Sequence, residues 1–448
     1  MKRILGAVLV ALTVSIAAPA AGQDRQQTGA FWRTLDDSTL QQLVGDVVKF
    51  NHDVVAARAR LRGARAARLD AALDFAPTVT ATASYTRQRL SNVGFPGGAP
   101  AFPDQNVWDA GLLLSWELDV FGRIRKSTQG QGALMAAAQE DVEDLQVLLS
   151  AELASAYFDL RGAQDRLGVA QRNAQNQLRT LEVTQQRLEA GRGSEFDTER
   201  AKTLLSSTLA GIPALEASIA AMQRRIAVLV GRPASEIGTA VGERGALPAL
   251  PDSVAVGNAE RVVRLRPDVR SAERQLAAGG AFVGAAKAAY LPRLSIGGGA
   301  GYVSNTFESL GDVGRPRYAI GPVISWPALN LGRVKAGVDI ARAQEAEADA
   351  YYRKTQLQAF EEIETSVVTY NKARQSLQHL EAAASASERA AALARLRFEE
   401  GATDFLQVLD AERTMLEAQD RLATGRTAAT TGLVAVYRAL GGGTATTY

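Results

Sequence analysis

Ser115-Trp116-Glu117-Leu118-Asp119-Val120-Phe121-Gly122-Arg123 returns, 210 residues later, as Ser325-Trp326-Pro327-Ala328-Leu329-Asn330-Leu331-Gly332-Arg333. At the same offset Arg187-Leu188-Glu189-Ala190-Gly191 returns as Arg397-Phe398-Glu399-Glu400-Gly401, and Val228-Leu229-Val230-Gly231 as Arg438-Ala439-Leu440-Gly441. Upstream, Asp53, Val54, Ala57, Leu61 and Pro77 recur 215 residues on, as Asp268, Val269, Ala272, Leu276 and Pro292. The offset changes once, between Pro77 and Trp116, so the first copy carries five extra residues there. A unit of about 200 residues is far longer than the ~20–50 residues of a solenoid repeat. One chain therefore supplies two similar halves, a pseudo-symmetry that suits a closed ring.

Both copies run in the same order: a helix of moderate length, a strand after Pro77 or Pro292, a loop, a strand ending at Trp116 or Trp326, and two long helices. The predicted division is a signal peptide over 1–22 and a first repeat over 23–231, with its β-hairpin at 77–118 and helical hairpin at 123–231. A connector over 232–265 leads to the second repeat over 266–441, with hairpins at 292–327 and 333–441, and a tail over 442–448.

The strands alternate at period two. In Thr78-Val79-Thr80-Ala81-Thr82-Ala83-Ser84-Tyr85-Thr86 every even position bears a hydroxyl and every odd one is apolar or aromatic, which puts one set on each face. Trp108, Ala110, Leu112, Leu114 and Trp116 share a face, with Asp109, Gly111 and Ser115 opposite; Tyr318, Ile320, Pro322, Ile324 and Trp326 are the matching set. An aromatic stands at each end of both stripes. Each stripe spans roughly 20 Å, near the ~25 Å apolar band of an outer-membrane barrel. The sequence thus points to Trp108, Trp116, Tyr318 and Trp326 as membrane-interface aromatics and to Asp109 on a luminal face. Four strands per chain cannot close a barrel, since single-chain barrels start at ~8; three chains supply twelve. Gly94–Pro100 holds the extra residues of the first loop, and Thr306–Pro316 is its shorter counterpart. Both fit the long outer loops of such barrels.

The helical stretches are the other unusual quantity. Arg125 to Arg187 and Arg333 to Arg397 contain no proline, and at ~1.5 Å per residue each reaches about 95 Å. They are too polar to span a membrane and too long to fold over one small core. An antiparallel coiled-coil scaffold would explain these helices but not the paired strands.

The N-terminus reads as an export signal. Lys2 and Arg3 precede an uncharged, mostly apolar stretch from Ile4 to Ala18, and small residues around Ala20 offer a cleavage site. Without it, Lys+Arg falls from 50 to 48 against 48 Asp+Glu, so no basic footprint argues for nucleic acid. After it no uninterrupted apolar run of ~18 residues follows, which leaves a closed β-barrel as the route into a membrane. The chain has no cysteine, which excludes disulfides, thiolate metal sites and an acylated N-terminal cysteine. His52 and His379 stand far apart and read as surface residues on helices. No HExxH, GxxxxGK[ST] or GxSxG is present, and the glycines at 297–301 run on into a strand-like segment, not a helix. No enzyme, cofactor or metal site is expected.

Taken together, these features resemble the TolC-type outer-membrane efflux proteins. Several segments look closest to the OprM-like subgroup of drug-efflux subunits: Arg266-Pro267-Asp268-Val269-Arg270-Ser271-Ala272-Glu273, Ala288-Ala289-Tyr290-Leu291-Pro292, the Ser-Trp…Gly-Arg segment, Leu409-Asp410-Ala411-Glu412-Arg413 and Tyr437-Arg438-Ala439-Leu440-Gly441-Gly442-Gly443. The resemblance implies a homotrimer with a 12-stranded β-barrel over a periplasmic α-helical barrel. A mixed equatorial collar would come from roughly 22–51, 232–266 and 441–448. Many OprM-like members are lipoproteins; without a cysteine this chain would rest in the outer-membrane lipid on its barrel alone.

The resemblance also carries a periplasmic gate over to Leu406, Asp410 and Arg413. Their spacing of four and three puts them on one helix face. The first-copy equivalents, Phe196, Arg200 and Thr203, lack the acid. The hairpin tips at Arg187, Gly191, Arg397 and Gly401 become docking points for a periplasmic adaptor. The implied function is a passive outer-membrane duct in a tripartite efflux system, with an adaptor and an inner-membrane pump of the proton-driven multidrug type. A type I protein-secretion duct shares this architecture and stays open as an alternative, as does the periplasmic scaffold.

Overall fold

The computed structural model describes residues 31–89, 103–242, 245–252, 254, 257–312 and 316–442. The signal peptide, Gly94–Pro100, part of the second loop and the end of the tail lie outside the described residues. The elements are α1 (Ser38–Phe50), α2 (His52–Leu73), β1 (Thr78–Gln88), β2 (Gln105–Leu118), α3 (Arg123–Glu189), α4 (Glu195–Val230), α5 (Ala234–Gly242), α6 (Ala259–Leu265), α7 (Pro267–Ala288), β3 (Arg293–Ser304), β4 (Pro316–Ser325), α8 (Leu331–Glu399) and α9 (Phe405–Ala439). The series helix, strand, strand, long helix, long helix occurs twice.

The four strands form one antiparallel sheet in the order β1-β2-β3-β4. Its register sorts the side chains cleanly. Tyr85 stands opposite Trp108, Ala83 opposite Ala110, Leu112 opposite Ala300 and Ile324 opposite Leu294, so one face is apolar from edge to edge. The other carries Thr80, Thr82 and Ser84 on β1, Asp109 and Ser115 on β2, and Gly297, Gly299 and Gly301 on β3. β1 and β4 are the free edges of the sheet.

α3 and α8 run 67 and 69 residues, about 100 Å each at ~1.5 Å rise. Their starts differ. Gly122 takes a left-handed φ of 77° before α3, and the Asp119 carboxylate accepts the Ile124 and Arg125 N–H groups at 2.8 and 2.9 Å, as an N-cap would. Gly332, its equivalent at the 210-residue offset, already lies inside α8 and needs no such conformation. At the far ends the copies agree. Gly191 (φ 67°) and Gly401 (φ 75°) close α3 and α8, with the N–H of Arg192 on the Arg187 carbonyl and that of Ala402 on the Arg397 carbonyl, both at 2.8 Å. That six-to-one bond is the Schellman closure, which glycine adopts without a Cβ penalty.

The principal core lies where α1, α3, α8 and the C-terminal ends of α4 and α9 converge. Trp32, Tyr157, Phe158, Tyr370 and Tyr437 are buried there, with Phe31 stacked 4.5 Å from Tyr437. A second, small core of Leu181, Ala201, Phe398, Phe405 and Val408 ties the two hairpins near their tips. The long helices between are seams rather than cores, as their alanine content allows.

The sequence is expected to hold no further spanning helix, yet α4 is long and apolar enough to cross a membrane by length and composition, with 6% of its apolar window buried within the protomer. Apolar residues interrupted by Ser, Thr and Pro213 escape a search for unbroken runs. The helix continues through Pro213, although proline removes one backbone hydrogen bond there.

Candidate functional site: sheet faces, hairpin tips and the face of α9

The aromatics at the two ends of the sheet do different work. At the loop end Trp108 lies 4.5 Å from the Tyr85 ring and 5.2 Å from that of Phe307, centroid to centroid. Phe307 comes from the loop after β3 and carries no periodic signal, so sequence reasoning missed it. At the helix end the Trp116 indole N–H donates to the Phe75 carbonyl at 2.8 Å, and that of Trp326 to the Tyr290 carbonyl at 3.0 Å. Phe75 and Tyr290 each stand two residues before the proline that leads into a strand. Each tryptophan therefore satisfies a carbonyl one residue past a helix C-cap, and pins sheet to helix in both copies. Tyr318 is 84% exposed on edge strand β4, without a neighbour across that edge.

At the tips, Arg187 and Arg397 occupy equivalent turns but not equivalent surroundings. The Arg187 guanidinium donates to the Phe398 and Glu399 carbonyls at 2.6 and 3.0 Å and lies 4.1 Å over the Phe398 ring. It caps the C-terminal end of α8, where a cation is favoured by the helix dipole. Arg187 thus joins one tip to the other, whereas Arg397 is exposed.

Leu406, Asp410 and Arg413 lie on one exposed face of α9. Arg413 reaches Asp410 at 3.5 Å and Glu417 at 3.9 Å, so Asp410 shares its cation with a second acid. In the first copy Arg200 stacks on the Phe196 ring at 4.8 Å, and the Thr203 hydroxyl donates to its own helix at Glu199. The opposite face of α9 holds a group that no local sequence pattern distinguishes from its neighbours. Glu412 is 1% exposed, and accepts from Arg395 on α8 at 2.7 Å and from the Thr180 hydroxyl on α3 at 2.8 Å. One buried carboxylate thus links three helices of both hairpins.

Titratable groups gather behind the sheet-side part of α3. Asp144 is pushed up to about 6, chiefly by burial, with Asp268, Asp141 and Glu362 adding to the shift and Arg266 opposing it. Among the described residues no group of His, Cys, Asp and Glu could hold a metal ion.

A sheet apolar across one whole face, with hydroxyl, glycine and charged residues set into the other, flanked by aromatics and continued by ~100 Å helices, defines an outer-membrane duct of the helix-and-barrel type. The chain belongs to the outer membrane efflux protein family, whose model matches residues 43–232 and 259–442. It is an outer-membrane efflux channel that extends into the periplasm. Among solved structures, the outer-membrane channel OprN is similar over 94% of each chain, at 40% identity and a TM-score of 0.87. The outer membrane protein OprJ of Pseudomonas aeruginosa is 30% identical over 98% of this chain and 95% of its own length. The solvent efflux pump outer membrane protein SrpC of Pseudomonas putida is 30% identical over 91% and 86%.

Proposed function

We propose that three copies of this chain close into one duct, with β4 of one protomer pairing β1 of the next to make a 12-stranded barrel and the long helices packing into a periplasmic α-barrel. The free edges carry this reading. Unpaired edge groups cannot remain in hydrocarbon, where each costs several kcal/mol, and a sheet apolar across its whole outer face has no stable place in water. The uncovered apolar face of α4 supports the same assembly, since a neighbouring copy's helix would cover it.

The duct is the outer component of a tripartite system. A periplasmic adaptor docks at the hairpin tips, chiefly through Gly191, Arg397 and Gly401, and an inner-membrane pump of the proton-driven multidrug type supplies the energy. The described residues within 22–51, 232–266 and 441–448 belong to the equatorial collar. Leu406, Asp410 and Arg413 line the periplasmic constriction, where three copies of α9 approach the axis. The cargo is of the small-organic class, as a relative that serves in solvent efflux suggests.

Purified protein in a planar bilayer tests the reading. Heat-modifiable trimers that conduct ions, and that restore drug efflux beside a proton-driven pump and its adaptor, are the expected result. A monomer that does not conduct removes the duct. Conducting trimers that work only beside an ATP-driven protein exporter would instead favour the secretion duct.

A further inference from the structure

One ion pair on the polar face of the sheet spans two strands. Asp109 lies on β2, opposite Ser84 on β1 and Val303 on β3; Arg317 lies on β4, opposite Gly301 of β3. The Arg317 guanidinium nevertheless reaches both Asp109 oxygens at 2.5 Å. β2 and β4 are two strand spacings apart, roughly 9.6 Å, and Arg317 crosses that gap over Gly301, which has no side chain in the way. A Cβ at Gly301 would collide with the Ala110 carbonyl, and one at Gly111 would stand 2.7 Å from the Ala300 carbonyl. The glycines that keep the strands close also clear the path for the pair.

The rest of this face is almost uncharged. Among the described residues, the other charged side chains on it are Glu117, paired with Arg123 at 2.8 Å, and Arg293, both at the helix end of the sheet. Between them and the pair lie hydroxyl, glycine and aliphatic positions. Asp109 and Arg317 stand near the loop end, one on the fifth residue of β2 and the other on the second of β4. Both stay open to water, with side chains 25% and 43% exposed.

We infer that the Asp109–Arg317 pair sets the charge selectivity of the outer part of the lumen, holding it neutral so that cargo of either sign can pass. The inference rests on the duct reading, which puts this face on the lumen and three pairs in one ring. Paired, each couple contributes no net charge. Removing one partner leaves three like charges around a narrow aqueous path, within or near a Debye length of ~10 Å at 0.1 M salt, where low-dielectric walls concentrate the field.

The test is the reversal potential of purified trimers in a planar bilayer under a KCl gradient. Asp109→Asn leaves three guanidinium groups and should shift the potassium-to-chloride permeability ratio towards chloride by at least about threefold at low salt. Arg317→Gln should shift it at least as far towards potassium. The double variant Asp109→Asn/Arg317→Gln should return to the wild-type ratio, a result that a merely structural role would not produce. If Arg317→Gln fails to assemble, Arg317→Met keeps the side-chain length and serves in its place. Wild-type trimers that do not conduct overturn the duct reading and this inference with it. Conducting trimers whose single variants keep the wild-type ratio, or shift it in the same direction, overturn the inference alone.

Discussion

α4 and α9 occupy the same position in the two copies, yet one is an outside helix and the other an inside one. α9 packs against both α8 and α3, whereas α4 packs mainly against α3. The buried residues of α9 are spread along it, from Phe405 through Glu412, Met415 and Ala423 to Tyr437. Those of α4 gather at its two ends, around Ala201 and Ile226, and its middle is exposed. At the 210-residue offset Glu412 corresponds to Lys202 and buried Ala423 to exposed Pro213. Proline is tolerated where no neighbour fills the groove. In the sheet each copy has one interior strand, but not the equivalent one: β2 is flanked on both sides where its counterpart β4 is an edge, and β3 is flanked where its counterpart β1 is an edge. Duplication preserved the elements, and the single chain distinguishes them by which side is already covered.

The sharpest way to break that comparison is to remove the buried carboxylate. Glu412→Ala leaves the half-buried Arg395 and the Thr180 hydroxyl without their shared acceptor and should destabilise the helical hairpins by about 3–5 kcal/mol. Lys202→Ala, which removes an exposed pair with Glu199 at 3.6 Å, should stay within ~0.5 kcal/mol. Thermal melts followed by helical circular dichroism compare the two, and equal losses would dissolve the distinction between α4 and α9.

The sheet gives the next largest effect. Leu114 is half-buried on β2, and Ile324, its offset partner, is 72% exposed on β4. If assembly turns both towards lipid, arginine at either should cost ~2–4 kcal/mol and lower the trimer yield equally. A harmless Ile324→Arg beside a damaging Leu114→Arg would leave β4 facing water and the barrel unclosed.

A third test exploits a difference in charge. Asp144 on α3 corresponds to exposed Lys354 on α8, and burial raises its carboxyl to about 6. An unfolded aspartate titrates near ~3.9. Between these values the folded chain holds a proton that the unfolded chain has released, so stability falls as pH rises through about 4 to 6 and levels off above. Asp144→Asn stays neutral throughout. It should melt like the wild type near pH 4 and later than it at pH 7.5, by at most ~3 kcal/mol. A difference that does not change with pH would mean that Asp144 does not titrate in that window.

The smallest energies belong to the proposed gate. Asp410 and Arg413 form an exposed i,i+3 pair, of a kind worth ~0.3–0.5 kcal/mol. Asp410→Ala and Arg413→Ala should therefore raise single-channel conductance and the entry of bulky antibiotics without lowering the melting temperature. Arg413→Ala should do more, because it leaves Asp410 and Glu417 without their shared cation. Arg200→Ala in the first copy should do much less. Unchanged conductance in both second-copy variants, with normal trimers, would move the gate elsewhere.

What the sequence determined by itself follows from local geometry. Period-two alternation in 78–86 and 108–116 sorted the faces of the strands because successive side chains point to opposite sides. Gly191 and Gly401 marked the hairpin turns because a left-handed residue closes a helix cheaply only without a Cβ. The order of elements could be read because it was written twice. Tertiary structure alone decided which equivalent residue was covered. Glu412 and Asp410 sit two positions apart on one helix, and only the arrival of α3 and α8 on one side makes the first a buried link and leaves the second in water. Arg187 and Arg397 share a turn motif, but the neighbouring tip takes up one and not the other. Arg317 finds Asp109 two strands away, across a glycine that looked in sequence like mere backbone freedom. A residue's neighbours along the chain fix its conformation, whereas its neighbours in space depend on how distant segments meet, and no local pattern carries that.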